Sequence, residues 1–210
     1  PSFSPRATEY IQEMQRMIGV LLKKDFAYKT ELAIYFDVSK FKDYTKLSHQ
    51  KLDEELSGAG KGDVIDSEKK NTADFALWFF KKGAHTNALQ TWQSPWGEGF
   101  PGWHIECSAM SKALLGPTLD LHMGGVEHIP VHHTNEIAQS EAANGVKFVN
   151  YWVHNEHLIV DDSKMAKSSG TSYCVQDITD KGFDQLVLSY FYLQAHYRSK
   201  QNFTWEALYA

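Results

Sequence analysis

Residues 102–141 read GWHIECSAMSKALLGPTLDLHMGGVEHIPVHHTNEIAQSE, and the reading of this stretch decides the reading of the chain. It carries Cys107, His122, His132, His133, Glu136 and Glu141, donor types that a borderline-soft metal such as zinc accepts. Residues 132–141 have helix-forming character, and in a helix His132 and Glu136 share one face because they stand four residues apart. Cys107 completes three protein ligands if the intervening turn folds back, and a fourth position is then open or filled from elsewhere. The spacing matches no closed structural-zinc pattern of the paired C-x-x-C kind. The same residues also fit a buried free cysteine acting as a small hydrophobe beside a polar helix with solvent-facing histidines.

Around this stretch the pattern alternates between helix and strand. Ile105, Ala109, Met110, Ala113 and Leu114 predict a helix over His104–Leu115, ended by Gly116-Pro117. Thr118 to His122 alternates as a strand and ends at Met123-Gly124-Gly125, where a backbone can approach a ligand closely. A strand end, glycine and then a helix is where open α/β sheets bind ligands, so His122 and Gly124 are pocket candidates; a lone histidine there also fits a structural role. Upstream, Gln93 to Trp103 is rich in Gly, Pro and Trp and reads as an irregular loop. Phe75–Phe80 is either a buried strand or a packed helical turn.

The chain opens with Ser4 as a helix cap and Pro5 as the first helical residue, followed by Tyr10, Ile11, Met14, Met17, Ile18, Leu21 and Leu22 on one face. Phe26–Tyr28 and Leu32–Val38 predict a hairpin joined through Lys29-Thr30-Glu31. Residues 39–73 are polar and charged, with the clearest loop at Ser57-Gly58-Ala59-Gly60-Lys61-Gly62. The pairs Lys69-Lys70 and Lys81-Lys82 read as solvated charge before they read as a nucleic-acid patch.

Downstream, Tyr151–His154 and His157–Val160 are followed by Asp161-Asp162 and then Ser163-Lys164-Met165-Ala166-Lys167-Ser168-Ser169-Gly170. Two lysines in a Ser/Gly-rich loop after a strand suit a polyphosphate, because ammonium groups neutralise its charge while hydroxyl and backbone donors complete the contacts. Leu186, Leu188, Phe191, Tyr192 and Ala195 give Asp184–Tyr197 a helical period that reads as core packing.

Bulk properties set the class. With 210 residues, 42% hydrophobic and 13% aromatic, the chain can bury a substantial core as one large or two small domains. A net charge of −5 provides no general cationic field, so RNA contacts would have to use local patches. Two cysteines exclude a disulfide framework, and no apolar run approaches the roughly 18 residues of a membrane span. Without a basic-then-apolar leader the expected location is the cytoplasm.

Pro101-Gly102-Trp103-His104-Ile105-Glu106-Cys107-Ser108-Ala109-Met110 and His132-His133-Thr134-Asn135-Glu136-Ile137-Ala138-Gln139-Ser140-Glu141 resemble the cysteinyl-tRNA synthetases. The likeness extends from Pro5-Arg6-Ala7-Thr8-Glu9-Tyr10-Ile11 through Tyr35-Phe36-Asp37-Val38-Ser39-Lys40-Phe41 to His196-Tyr197-Arg198-Ser199. It implies an α/β fold, the second half of a class I synthetase Rossmann-like catalytic domain preceded by a connective insertion with a β-hairpin. The implied divisions are residues 1–92 for the insertion, 93–175 for the catalytic half, and 176–210 for the start of a helical stem-contact region.

The resemblance further implies zinc held by Cys107, His132 and Glu136, and Trp103 with His122 at the cysteine pocket. It implies ATP, with Mg2+, bound by Gly124, Lys164, Met165, Ala166, Lys167 and Ser168. The segment Lys164–Ser168 resembles the family's KMSKS signature, with Ala166 in place of a serine, and the catalytic lysines are Lys164 and Lys167, the latter stabilising the pyrophosphate leaving group. Glu127 replaces an expected aspartate near ATP. His196, Tyr197 and Arg198 are candidate contacts to the tRNA acceptor end. Implied partners are tRNA(Cys), cysteine and ATP, together with a missing N-terminal half bearing the HIGH-type signature and one more zinc-binding cysteine; anticodon-recognition domains would lie beyond Ala210. The implied activity is activation of cysteine to cysteinyl-adenylate and its transfer to tRNA, with this chain alone expected to be inactive. The rival expectations are a cysteine ligase acting on an amino-sugar, as in mycothiol-type biosynthesis, and a non-catalytic zinc-binding fragment or paralogue.

Overall fold

A computed structural model of the protein describes residues 1–50 and 66–209; the glycine-rich loop expected at 57–62 lies outside them. The chain divides into two compact units, Pro1–His122 with Glu127–Trp152, and Met123–Val126 with Val153–Ala210.

In the first unit, helix α1 (Ile11–Lys23) buries Ile11, Met14, Met17, Ile18 and Leu21, as the apolar period requires. The helix does not begin at Ser4-Pro5. A 3-10 turn over Ala7–Glu9 comes first, and Tyr10 at φ −115°, ψ 18° interrupts the run. The short-range bonds Glu9 N–H to Arg6 O and Tyr10 N–H to Ala7 O hold that turn before α-helical bonding starts with Met14 N–H to Tyr10 O.

Strands β1 (Ala27–Lys29) and β2 (Ala33–Phe36) form the expected antiparallel hairpin, with Tyr28 opposite Tyr35. The Thr30 hydroxyl closes it by accepting from Leu32 N–H and Ala33 N–H. β3 (Phe75–Phe80) is a strand, antiparallel to β2, with a register shift between Ile34 and Tyr35. Phe75, Leu77 and Trp78 are buried there and join the core of α1, so the run is apolar because both faces of the strand are covered.

The segment expected as loop holds a strand, β4 (Gly99–Pro101), which completes a sheet of order β1-β2-β3-β4. Its glycines serve close approach. A Cβ on Gly99 would stand 2.0 Å from Phe79 O, and one on Gly102 would stand 2.0 Å from Ala76 O. Pro101 is tolerated because β4 is an edge strand.

Helix α2 (Trp103–Leu115) follows and stops at Gly116, whose φ is +94°. β5 (Leu119–Gly125) runs through both glycines rather than ending at Met123; neither glycine has a positive φ, so the strand continues unbroken. A 3-10 turn (Val126–His128) and a π-helical turn (Ile129–His133) lead into α3 (Thr134–Asn144). His132 and His133 therefore precede the α-helix proper, in a widened turn containing Pro130, where the Thr134 hydroxyl donates to Ile129 O at 2.7 Å. π turns of this kind are frequent at functional sites. α3 ends on Gly145 at φ +73°, and the Lys24 ammonium donates to the terminal carbonyls of Ala142 and Ala143 at 3.2 and 2.9 Å, where the helix dipole favours a cation. β6 (Val149–Asn155) pairs with β5.

The second unit contains β7 (Leu158–Val160), β8 (Ser163–Lys164) and β9 (Gln201–Phe203), with β7 central, antiparallel to β8 and parallel to β9. Asp161 and Asp162 join β7 to β8 at φ +48° and +59°, a two-residue turn with positive φ at both positions, which Asp tolerates better than most residues. Helices α4 (Val175–Asp180) and α5 (Gln185–Leu193) pack around a core of Val160, Ile178, Phe191, Phe203 and Leu208. α5 is shorter than its period predicts, and Leu186, Tyr190 and Leu193 on it are exposed; only Phe191 is fully buried. Among the described residues no helix is long and apolar enough to cross a membrane.

Candidate metal centre

α3 is unusual in what it buries. Thr134, Asn135, Glu136, Gln139 and Ser140 are all sealed from solvent, and Glu136 is 0% exposed. A carboxylate taken out of water costs several kcal/mol unless it is paired and hydrogen-bonded. Part of the helix is satisfied by protein: Gln139 Nε2 donates to His104 O at 2.8 Å and Ser108 Oγ at 2.9 Å, and the Tyr44 hydroxyl donates to Asn135 Oδ1.

Glu136 is satisfied on one oxygen only. His122 Nε2 lies 3.0 Å from Oε2, and since an ionised carboxylate only accepts, His122 Nε2 carries the proton. Oε1 makes no hydrogen bond. His132 Nε2 stands 3.7 Å from that oxygen, and donor atoms of Cys107, His132 and Glu136 all lie within 4.8 Å of one another. A second set, His122, His133 and Glu136, meets the same limit on the other side of the carboxylate, with His133 Nε2 3.8 Å from Oε2.

The electrostatics follow from burial. The Cys107 thiol is pushed up to about 12 by burial, then by the negative charges of Glu136 and Glu106. His132 is held below its usual range by burial, which Glu136 opposes, and His104 is pushed down to about 3 by burial and by His132. Without a cation, burial thus favours the protonated thiol of Cys107 and the uncharged rings of His132 and His104. Sulfur, nitrogen and oxygen donors around an unsatisfied buried carboxylate oxygen suit a divalent metal. Tetrahedral zinc, with ligand bonds of about 2.0–2.3 Å, sets donors roughly 3.3–3.8 Å apart, and the His132–Glu136 separation falls in that range.

Trp103, 58% exposed, stacks on His132 with ring centroids 4.4 Å apart and planes at 24°. His122 meets Trp152 edge-on at 4.9 Å. Trp103, Cys107, His122, His132 and Glu136 therefore gather in one place. Glu141 does not belong with them: it pairs with Lys46 and accepts Phe148 N–H, a tie at the other end of α3. Sequence reasoning missed His104, Gln139 and the direct pairing of His133 with Glu136. The spacing of His104 and Cys107, three residues apart on one helix face, was the available signal for the first.

In the second unit Lys164 ends β8, and Lys167–Ser169 forms a 3-10 turn closed by Gly170 at φ +66°. Lys164, Lys167 and Ser168 are exposed, while Met165 packs against the core. The loop is pinned by Ala166 N–H donating to Thr171 Oγ1 at 3.1 Å and Thr171 N–H donating to Ala166 O at 3.3 Å. Gly124 lies in β5 and Glu127 in the turn that follows it. His196 and Tyr197 stack at 4.6 Å, with the Arg198 guanidinium 5.4 Å from the Tyr197 ring. The lysine pairs of the first unit are tied locally, Lys81 to Glu98 at 3.0 Å and Lys70 over the Tyr28 ring at 4.3 Å.

The model of the class I (C) tRNA synthetase catalytic domain matches residues 1–210. This chain belongs to that synthetase family. Similar curated relatives carry the name cysteine–tRNA ligase. That of Treponema denticola is 46% identical over 208 residues, 99% of this chain and 42% of the relative. That of Opitutus terrae is 47% identical over 215 residues, 100% of this chain and 47% of the relative. That of Acinetobacter baylyi is 48% identical over 209 residues, 99% of this chain and 43% of the relative. The chain spans less than half the length of these relatives. A solved Campylobacter jejuni structure described as an arginyl tRNA synthetase aligns at a TM-score of 0.54 and 14% identity, covering 94% of this chain and 34% of that one. That likeness speaks for the fold: the α/β architecture is the one found in class I synthetases.

Proposed function

We propose that this chain is the part of a cysteine–tRNA ligase that selects cysteine, and that Cys107, His132 and Glu136 hold zinc there. The observation that carries the reading is that donor atoms of these three residues lie within 4.8 Å of one another, while Oε1 of Glu136, 3.7 Å from His132 Nε2, is buried and makes no hydrogen bond. When bound, zinc supplies a soft Lewis-acid position that a cysteine thiolate fills far better than the hydroxyl of serine. Shape alone separates two side chains differing by one atom poorly.

The chain's own residues then divide the work. His122 holds one carboxylate oxygen of Glu136 through its Nε2–H and so leaves the other for the metal. Trp103 covers the His132 ring and presents its exposed side as a wall for the substrate. Lys164 and Lys167 stand exposed on a loop pinned by Thr171; their ammonium groups bind the phosphates of ATP and neutralise the charge that develops on pyrophosphate as cysteinyl-adenylate forms. The acyl group then passes to the terminal ribose of tRNA(Cys), with His196, Tyr197 and Arg198 offered to the acceptor end by stacking and phosphate pairing.

Elemental mass spectrometry of the purified chain tests the metal half of the reading. About one zinc per chain, lost in His132→Ala, is the expected result; a zinc-free parent chain rejects it. In a protein of the relatives' length, pyrophosphate exchange that depends on cysteine and is not supported by serine tests the activity.

A further inference from the structure

We propose that His104 is a positioning residue that fixes the tautomer of His132, so that His132 presents the bare Nε2 to the metal. The inference rests on the metal reading given above. Nδ1 of His104 lies 2.9 Å from Nδ1 of His132. Two ring nitrogens at that distance share one proton, since two lone pairs or two N–H groups would repel. The other nitrogen of His132, Nε2, faces Glu136 Oε1 at 3.7 Å, and is thus the nitrogen turned toward the carboxylate of the set that His132 forms with Cys107 and Glu136. A ligating nitrogen must be unprotonated, so the proton of His132 sits on Nδ1 and His104 Nδ1 accepts it. Ligating histidines generally donate their second ring N–H to such a partner, which sets both tautomer and ring orientation.

His104 is itself well held for this task. Its ring meets Phe75 edge-on at 5.6 Å, and its carbonyl accepts from Gln139 Nε2 at 2.8 Å. Gln139 lies one turn beyond Glu136 on the same helix, so the acceptor of the His132 proton and the carboxylate ligand are tied to one element. Trp103 stacks on the His132 ring. The imidazole is thereby held by the Nδ1 contact to His104 and by the aromatic plane of Trp103.

The test uses the chain with zinc, a competing chelator, and 15N NMR of the histidine rings. His104→Phe keeps an aromatic ring but has no acceptor; His104→Asn carries a carbonyl oxygen near the place of Nδ1. The wild-type chain is expected to show His132 protonated on Nδ1, and His104→Phe to lose that signature and bind zinc roughly 10- to 100-fold more weakly, with circular dichroism unchanged. His104→Asn is expected to recover most of both. Wild-type zinc affinity in His104→Phe, no recovery in His104→Asn, or a proton on Nε2 of His132 overturns the proposal. If the wild-type chain takes no zinc, the metal reading falls; the tautomer then decides the pairing by itself, an Nδ1–H abolished in His104→Phe supporting it and an Nε2–H overturning it.

Discussion

The Nε2–H of His122 donates to Oε2 of Glu136 at 3.0 Å, and this bond commits one oxygen of a fully buried carboxylate while the other remains open. Truncating the donor leaves a buried charge short of its main partner. His122→Phe should therefore cost roughly 1.5–3 kcal/mol of stability, the scale of losing a hydrogen bond to a buried charged group. The double substitution His122→Phe with Glu136→Leu should return much of that loss. Urea unfolding of the metal-free chain reads both, and a His122→Phe effect below about 1 kcal/mol would refute the account.

The two thiols should react at very different rates. Cys174 is exposed, whereas the Cys107 thiol is pushed up to about 12. At pH 8 only about one Cys107 in ten thousand is then the reactive thiolate. A short iodoacetamide pulse on the metal-free chain, read by peptide mass spectrometry, should label Cys174 well before Cys107. Equal labelling would contradict the described environment.

Tyr28 gives the alkaline limb of stability. Its hydroxyl is raised above the ordinary tyrosine range by burial first, then by the bond it donates to Asp74 Oδ2 at 2.6 Å. Because the folded state holds this proton more tightly than the unfolded chain, the contribution is complete below pH 10 and disappears as pH rises beyond it. Absorbance titration of the ten tyrosines should show a last-ionising component that Tyr28→Phe removes. If that component survives the substitution, another tyrosine is responsible.

Two alanine substitutions should separate close approach from backbone strain. Gly102→Ala drives a Cβ to 2.0 Å from Ala76 O, whereas Gly116→Ala meets open space and pays only for its φ of +94°. The first is expected to cost about 3 kcal/mol or more and the second about 1 kcal/mol. Melting temperatures should fall in that order, and the reverse order would mean that β3 and the start of α2 are not packed as described.

Lys167 carries the phosphate chemistry of the proposed reaction. In a protein of the relatives' length, Lys167→Ala should lower cysteine-dependent pyrophosphate exchange by about 10²–10³-fold, the scale of losing one preorganised contact to developing charge. The melting temperature should not move, because the side chain is exposed. A rate within twofold of wild type would remove Lys167 from that role.

Local patterning along the chain specified most of the elements and the residue types of the site. The apolar period of 11–21 specified α1, the alternation around Lys29-Thr30-Glu31 specified a hairpin, and the strings around Cys107 and His132 specified the synthetase family. These are legible because periodicity and capping act within a few residues. Tertiary structure alone decided the rest. Phe75–Phe80 became a strand because β2 and β4 flank it, and the glycines at 99 and 102 proved to serve the approach of one backbone to another, which no local pattern distinguishes from a loop. Helical spacing joined His132 to Glu136, and Glu141, also a donor type in the same stretch, is tied by the fold to Lys46 and Phe148 instead. The bond from His122, the acceptor at His104 and the second grouping with His133 join residues 14, 28 and 3 positions apart. The two longer of these depend on how α2, β5 and α3 pack, since burial and proton sharing are properties of the assembled core and not of the chain segments that supply it.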